Sequence, residues 1–436
     1  MPIVCRFRPA RRRWPVVAFA LVGGLATPFK VLATPPEAAV LTPQRAVAIA
    51  LEGNPGLAQI RARAEAMAAI PAQEGALPDP VLNVGLLNLP TRHFDLRRED
   101  MTMLEVGISQ LVPFPGKLAL REQAATLEAE AAVHTVEEAR LQLARDVVSR
   151  WWQLLALERT LRIIADSERL LQQLAAIADT KYRVGEGQQQ DVLAARLELA
   201  QLAQLRAEHL GLHHAEIARL NALLNRPADS AVRLPDTVDT RLPELDGAGY
   251  PPRGEPDRPL LAERRKALEA AHSRLELARK DFYPDFTLGT AYAVRQDTPT
   301  GQSRSDFVSF TLSINLPLYA DRKQARAVDQ RHAEWLKERY ALDQAEREIQ
   351  AEIAEALALY QGKRAQFRQF EGGVLPLAQQ NVTAALTAYQ VGKSDFLTVI
   401  RAENAWFSDQ IRYWQTLAEA HQALARLAAA VGREGL

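Results

Sequence analysis

The most regular pattern of the chain is helical, and it runs from Lys117 to Lys181 through a stretch without proline or glycine. Apolar residues recur there every three or four positions, which places them on one face of an α-helix. Examples are Leu141, Ala144, Val148, Trp151 and Leu155. At about 1.5 Å per residue, about 65 residues predict a helix roughly 100 Å long. Gly185 and Gly187 end this helix, and a second long helix is predicted to about Leu224.

Four shorter segments alternate apolar with polar or small residues at a period of two, which is the pattern of a β-strand with two different faces. They are Val81–Leu89, Met101–Leu111, Asp285–Val294 and Asp306–Leu316. Membrane strands show this alternation over about ten residues, with lipid on one side and a wet lumen on the other. A half-buried strand in a water-soluble sheet has the same period, so the pattern alone leaves both interpretations open.

The same succession of elements occurs twice, about 207 residues apart. Each copy has a helix, two strands, a long helix, a turn and another long helix. The matching segments are Pro78-Asp79 with Pro284-Asp285, Ile108–Phe114 with Leu312–Leu318, and Tyr182–Gly185 with Tyr389–Gly392. Solenoid repeats have periods of about 20–50 residues, so this chain is instead a duplicated half-molecule. In the second copy the long helix is predicted from Arg322 to Ala388, with a kink or a division near Gly372-Gly373 and Pro376.

Composition predicts how the chain is divided. Residues 1–33 carry six basic and no acidic residues and an apolar stretch from Val16 to Ala26, which predicts a signal peptide. A retained membrane anchor is the alternative, although about eleven apolar residues are fewer than the roughly 20 that a spanning helix needs. Seven prolines from Pro227 to Pro259 predict a linker at residues 227–258. The first repeat is then residues 34–226, and the second is residues 259–436.

Charge and cysteine content disfavour several classes of function. The chain has 53 basic and 53 acidic residues, and removing the six basic residues of the predicted signal peptide leaves 47 against 53, a net charge of −6. Nucleic-acid binding needs a basic surface, so that class loses support. The single cysteine, Cys5, lies in the predicted signal peptide, so the mature chain would have no disulfide and no thiolate chemistry. We also find no paired carboxylates or Ser/His/Asp cluster on predicted loops, so we do not expect an enzyme.

The strands and the helices both require partners. Strands can cross a membrane only as a closed barrel, and the smallest single-chain barrels have about eight strands. One chain offers four such strands, so the sheet would have to be shared between chains, and three copies would supply twelve. A hairpin of two long helices likewise buries its apolar faces only against neighbouring hairpins. The competing hypothesis is a periplasmic coiled-coil scaffold outside the membrane, which explains the helices but neither the strands nor the duplication.

With the duplication, the Pro-Asp strand starts and the paired Tyr-x-Val-Gly turns, the chain resembles the TolC family of outer-membrane efflux ducts over about residues 40–432. The most specific match is Val184-Gly185 followed by Asp191-Val192-Leu193. Within the family, the segments Asn54-Pro55, Ala76–Pro80 and Gln110–Lys117 resemble the CzcC/CusC-like branch. That branch serves heavy-metal efflux systems of the resistance–nodulation–division type.

The resemblance implies a mainly α fold with some β structure. Long helical hairpins of a homotrimer would form an α-barrel in the periplasm, continuous with a shared twelve-stranded β-barrel in the outer membrane. The implied function is passive conduction, without a cofactor, of heavy-metal cations delivered by a periplasmic adaptor and an inner-membrane pump. A duct for drugs or for type I secretion is the alternative.

The resemblance also assigns roles to residues at the turns between the long helices. The tips expected to dock on an adaptor are Val184, Gly185, Val391 and Gly392. The two glycines are expected to adopt a positive φ, which lets two helices reverse tightly. Asp191 and Tyr389 would form a bond between neighbouring hairpins that restricts the periplasmic aperture. The arginine that completes this lock in the family falls on Ser394, beside Lys393.

One histidine cluster is a further candidate. His209, His213 and His214 stand at i, i+4 and i+5 of a predicted helix, and two imidazoles at this spacing can hold a metal ion. No glutamate follows His209, so the metalloprotease signature is missing. A duct need not bind the ions that it conducts, so we predict no specific metal site and leave open whether these histidines bind metal.

Overall fold

The computed structural model describes residues 40–245 and 258–435. The predicted signal peptide and residues 246–257 of the predicted linker lie outside the described residues. The described chain is mainly helical and contains a four-stranded sheet.

Three short helices precede the first strand, and their starts follow from local sequence. They are α1 (Pro43–Gly53), α2 (Pro55–Ala68) and α3 (Ile70–Glu74). The Thr42 hydroxyl accepts a hydrogen bond from the N–H of Arg45 at 3.3 Å and so caps α1. Asn54 caps α2 in the same way, by accepting from the N–H of Leu57 at 3.1 Å. Each cap is followed by a proline, whose missing N–H is harmless in the first turn.

Long helices account for most of the remaining chain. They are α4 (Lys117–Arg183), α5 (Gln189–Leu223), α6 (Pro259–Lys280), α7 (Gln324–Gln369), α8 (Leu375–Gln390) and α9 (Phe396–Ala430). α4 has 67 residues, which confirms the predicted uninterrupted helix and corresponds to a length of about 100 Å. Within the described ranges, no helix combines the length and the apolar character needed to cross a membrane.

The long helix of the second repeat is divided, as the sequence predicts. A π-helical segment, Phe370–Val374, separates α7 from α8. Pro376 has no N–H to donate to the carbonyl of Gly372, four residues earlier, so regular α-helical bonding cannot continue there. π-helical segments occur mostly as single turns within longer α-helices, as this one does.

The sheet joins the two halves of the molecule. Its strands are β1 (Val81–Leu87), β2 (Met103–Val112), β3 (Phe286–Val294) and β4 (Phe307–Ile314). They are antiparallel and ordered β1-β2-β3-β4, so β1 and β4 form the edges. The first repeat contributes one pair and the second repeat the other, and β2 and β3 form the seam between them.

All four strands are shorter than predicted. The predicted starts at Met101, Asp285 and Asp306 are early by one or two residues, and the predicted ends of β1 and β4 are late by two. The predicted end of β1 at Leu89 is wrong, because Asn88 takes a positive φ of 52° and turns the chain. The predicted end of β4 at Leu316 is also wrong. There the Asn315 side chain accepts a hydrogen bond from the N–H of Asp285 at 2.6 Å, which closes the β3–β4 pair at its end.

The described part of the predicted linker, residues 227–245, lies against the long helices. Arg159 of α4 donates to the carbonyl of Pro235 at 3.1 Å, and Tyr360 of α7 donates to the carbonyl of Pro243 at 2.6 Å. Nearby, the buried Trp151 donates from Nε1 to the carbonyl of Leu41 at 2.7 Å. Hydrogen bonds therefore hold this segment against α4 and α7. The predicted domain boundaries stay a prediction.

Candidate functional site

One face of the sheet is apolar and exposed along all four strands. The side chains on this face include Leu82, Val84, Leu86, Leu104, Val106, Ile108, Leu288, Tyr292, Val294, Val308, Phe310, Leu312 and Ile314. The strand register places them side by side, with Val106 opposite both Val84 and Tyr292. The other face consists mainly of small and polar residues, such as Gly107, Ser309 and Ser313. This arrangement confirms the predicted faces and suits a sheet with lipid on one side.

Both long hairpins end in the same backbone motif. In the first hairpin, the N–H of Gly185 donates to the carbonyl of Tyr182 at 3.1 Å, and the N–H of Glu186 donates to that of Lys181 at 2.8 Å. The equivalent bonds around Gly392 are also 3.1 and 2.8 Å long. This is the Schellman motif, in which a residue with positive φ satisfies the last carbonyls of a helix.

The predicted backbone conformation of the tip glycines is confirmed. The φ angles are 79° at Gly185 and 73° at Gly392. A Cβ atom at either position would meet no atom within 4 Å, so the backbone angle alone requires glycine here. The valines before these glycines, Val184 and Val391, are 66% and 64% exposed. The two tips therefore present matching small apolar surfaces.

A lysine joins the two tips within one chain. The Lys181 ammonium, in the last turn of α4, donates to the carbonyl of Tyr389 at 3.2 Å and lies 4.2 Å from the centre of its ring. The tyrosine ring also contacts Phe396 edge to face, with 5.5 Å between ring centres. A cation over an aromatic ring contributes about 0.5–2 kcal/mol, depending on its exposure.

Asp191 and Tyr389 lie close enough to influence one another, but the predicted bond between them does not form within this chain. The Tyr389 hydroxyl is buried and has no hydrogen-bond partner among the described residues. Burial, together with the negative charge of Asp191, raises the pKa of the phenol. Burial and the nearby Asp395 raise the pKa of Asp191, against an opposing hydrogen bond from the Gln188 backbone.

Sequence reasoning missed two contacts at the tips, one made by Lys181 and one made at Gly187. The first was missed because a lysine in the last helical turn is ordinary, and only the fold brings it onto the other hairpin. The second is a close approach, because a Cβ at Gly187 would lie 2.9 Å from Cβ of Lys181 and 3.0 Å from the backbone nitrogen of Tyr182. The paired glycines of the first turn were a signal for this close approach.

The histidine cluster does not assemble into a metal centre. No group of three or more His, Cys, Asp or Glu side chains in the described part of the chain is placed to hold a metal ion. Nδ1 of His209 lies 3.0 Å from the carbonyl of Leu205. Nδ1 of His213 is buried without a partner among the described residues, and burial lowers the pKa of this imidazole.

Two comparisons of sequence agree with this architecture. A family described as outer membrane efflux protein matches residues 46–226 and 256–433. The cobalt-zinc-cadmium resistance protein CzcC of Cupriavidus metallidurans is 24% identical over 324 residues, which cover 73% of this chain and 74% of that protein.

Solved structures share the fold over nearly the whole length. CusC, solved in a study of its transmembrane channel formation, has a TM-score of 0.76 at 20% identity and covers 91% of this chain and 93% of its own. The outer membrane protein VceC of Vibrio cholerae has a TM-score of 0.75 at 20% identity, and the coverage is 90% and 96%.

Proposed function

This chain belongs to the outer membrane efflux protein family, and we propose that it is the exit duct of a heavy-metal efflux system. Members of the family are trimeric outer-membrane channels that extend into the periplasm and work with efflux pumps. The family is one of ducts rather than of enzymes. The chain is thus an outer-membrane efflux channel, and what we propose concerns its cargo, its docking tips and its aperture.

One observation supports a duct most strongly. The sheet exposes an apolar face on every strand while its opposite face is small and polar, and β1 and β4 stand at its edges. A sheet of this kind is completed when copies of the chain pair edge to edge, because no backbone group can then remain unpaired in lipid. Three copies give twelve strands around a lumen lined by small polar side chains.

Heavy-metal cations are the proposed cargo. The relative that supports this is the cobalt-zinc-cadmium resistance protein, which is similar over 324 residues at 24% identity. Deleting the gene from its host should lower tolerance of cobalt, zinc and cadmium salts, and the wild-type gene on a plasmid should restore it. Unchanged metal tolerance combined with a loss of drug tolerance would instead identify a duct for drugs.

The hairpin tips are the proposed docking surface for a periplasmic adaptor. The exposed Val184 and Val391 and the bare backbone of Gly185 and Gly392 allow another helical tip to approach closely. Changing both glycines to valine imposes a left-handed backbone on a β-branched residue, at a cost of roughly 1–2 kcal/mol for each site.

The double variant Gly185→Val/Gly392→Val should still form trimers but should lose metal tolerance and adaptor capture. The tips lie about 100 Å along α4 from the sheet, so assembly should be unaffected. Gly211→Val is the matched control, since Gly211 lies within α5 with open space around it. Full metal tolerance of the double variant would mean that the adaptor docks elsewhere.

The aperture is proposed to depend on Asp191 and Tyr389. The buried Tyr389 hydroxyl and the half-buried Asp191 lie beside the Lys181 contact that joins the two tips. Ser394 stands at the position of the family arginine, so the proposed constriction depends on Asp191, Tyr389 and Lys181 of each chain.

A further inference from the structure

Just below the sheet, the seam between the two repeats contains a cluster of four side chains joined by an ion pair and a ring stack. The Lys117 side chain is 3% exposed, and its Nζ lies 2.9 Å from Oδ1 of Asp285. The same carboxylate oxygen accepts a hydrogen bond from the N–H of Phe114 at 2.8 Å. The Phe114 ring stacks on Tyr283, with 4.5 Å between ring centres and 14° between planes. We call these four residues the in-chain junction.

The duplication supplies a second set of the same parts. Asp79 is the counterpart of Asp285, and Leu77, two residues earlier, is the counterpart of Tyr283. On the other side, Leu318 follows Pro317 as Phe114 follows Pro113. The cations after Leu318 are Arg322 and Lys323, shortly before α7, as Lys117 begins α4. An apolar pair and an ion pair are therefore encoded twice.

Only one of the two sets is used inside the chain. Leu77 and Leu318 are 53% and 79% exposed. The side chains of Asp79, Arg322 and Lys323 are exposed and have neither an ion pair nor a hydrogen bond with another described residue. The second set therefore consists of complementary groups that find no partner in the described chain.

Strand order explains why the second set is split. Asp285 precedes β3, and β3 pairs with β2, which leads to Lys117. Asp79 precedes β1, and β4 leads to Arg322 and Lys323, but β1 and β4 lie at opposite edges of the sheet. When β4 of one copy pairs antiparallel with β1 of the next copy, the two parts of the second set come together. Arg322 and Lys323 then lie near Asp79 of the next copy, as Lys117 lies near Asp285 at the β2–β3 seam.

We infer that these residues form a between-chain junction with a second copy of this chain. Leu318 packs on Leu77 of the next copy, and the dibasic pair Arg322-Lys323 binds its Asp79. The inference rests on the proposed trimer and adds the contacts that close it. In a ring of three copies, three in-chain and three between-chain junctions then alternate below the sheet.

Crosslinking tests the apolar pair directly, because Cys5 is the only natural cysteine and lies in the predicted signal peptide. The variant Leu77→Cys/Leu318→Cys, treated in membranes with a short bismaleimide, should give covalent dimers and trimers on a denaturing gel. The matched control Phe114→Cys/Tyr283→Cys should react to the same extent but keep the mass of one chain. Monomers alone from the first variant, alongside a reacted control, would overturn the inference.

Charge reversal tests the ion pair. Asp79→Lys should lower the temperature at which the trimer dissociates in detergent, because it places like charges together at each of the three junctions. Adding Arg322→Asp and Lys323→Asp to the same chain should restore the stability, whereas a triple variant no more stable than Asp79→Lys would contradict the pairing. Both assays are read without metal or pump, so a wrong cargo assignment would leave their results unchanged.

Discussion

At the scale of single residues, His421 of α9 combines ring stacking with a buried, unpartnered nitrogen. Its ring lies flat on the indole of Trp152, with 3.7 Å between ring centres and 3° between planes. Its Nε2 is buried and has no partner among the described residues. Burial lowers the pKa of His421 to about 4, against a weaker opposing effect of Asp239. The folded state therefore favours the neutral imidazole.

The stability of the helical bundle should depend on pH through His421. A histidine whose pKa is depressed in the folded state contributes stability above its unfolded pKa, and this stability is lost as pH falls towards the folded pKa. We expect a loss of about 2–3 kcal/mol per chain between about pH 6.5 and pH 4. Thermal melting followed by circular dichroism should show it. His421→Phe keeps an aromatic ring on Trp152 and should flatten this dependence.

A histidine in an exposed loop provides the control for this prediction. His93 lies between β1 and β2 and is exposed, so His93→Phe should keep the pH dependence of the wild type. If His421→Phe melts with the wild-type pH profile, the loss of stability in acid arises from other groups.

At the scale of elements, β4 shows how one strand faces two environments. Leu312 is 60% exposed on the apolar face and lies opposite Leu288 of β3. Its neighbour Ser313 points to the opposite face, opposite Thr287. Successive side chains of the strand thus point to opposite faces, so neighbouring residues face the lipid side and the lumen side in turn.

A charge should be tolerated on only one of these faces. Leu312→Arg should destabilise the inserted sheet by roughly 2–4 kcal/mol if it lies near the bilayer midplane, whereas Ser313→Arg should cost about 1 kcal/mol or less. The yield of heat-resistant trimer after refolding into lipid vesicles measures both. Equal losses from the two variants would show that the faces are assigned wrongly.

At the scale of the whole molecule, the two repeats of one chain are joined both below the sheet and at the hairpin tips. The in-chain junction joins them below the sheet, and Lys181 joins them at the tips through Tyr389. A change in the aperture therefore involves movement between copies, or the breaking of the Lys181 contact. The half-buried Asp191 lies within electrostatic range of both Lys181 and Tyr389.

Removing the aperture residues should widen the duct. Asp191→Ala/Tyr389→Phe is expected to raise the single-channel conductance in planar bilayers, since it removes the half-buried carboxylate and the buried hydroxyl from the proposed constriction. Tyr182→Phe is the matched control, because Tyr182 holds the equivalent position in the first repeat but is 46% exposed. Unchanged conductance of the double variant would place the constriction elsewhere.

Much of this architecture could be predicted from the sequence, because its signals are local and periodic. The unbroken pattern from Lys117 predicted a helix that the structure continues to Arg183. Period-two alternation predicted both faces of the sheet, and the Val-Gly pairs predicted the positive φ of the tips. The family resemblance could also be recognised from local signals, because the repeated turns and strand starts occupy matching positions in the two repeats.

Strand pairing and contacts between distant residues were decided by the tertiary structure. The sequence did not reveal that β2 pairs with β3, and this seam is what buries Lys117 beside Asp285, 168 residues away. Likewise, Tyr182 and Tyr389 share the Tyr-x-Val-Gly motif, yet one is 46% and the other 5% exposed. A repeat specifies local structure twice, but each copy packs against different neighbours, and burial and charge pairing depend on those neighbours.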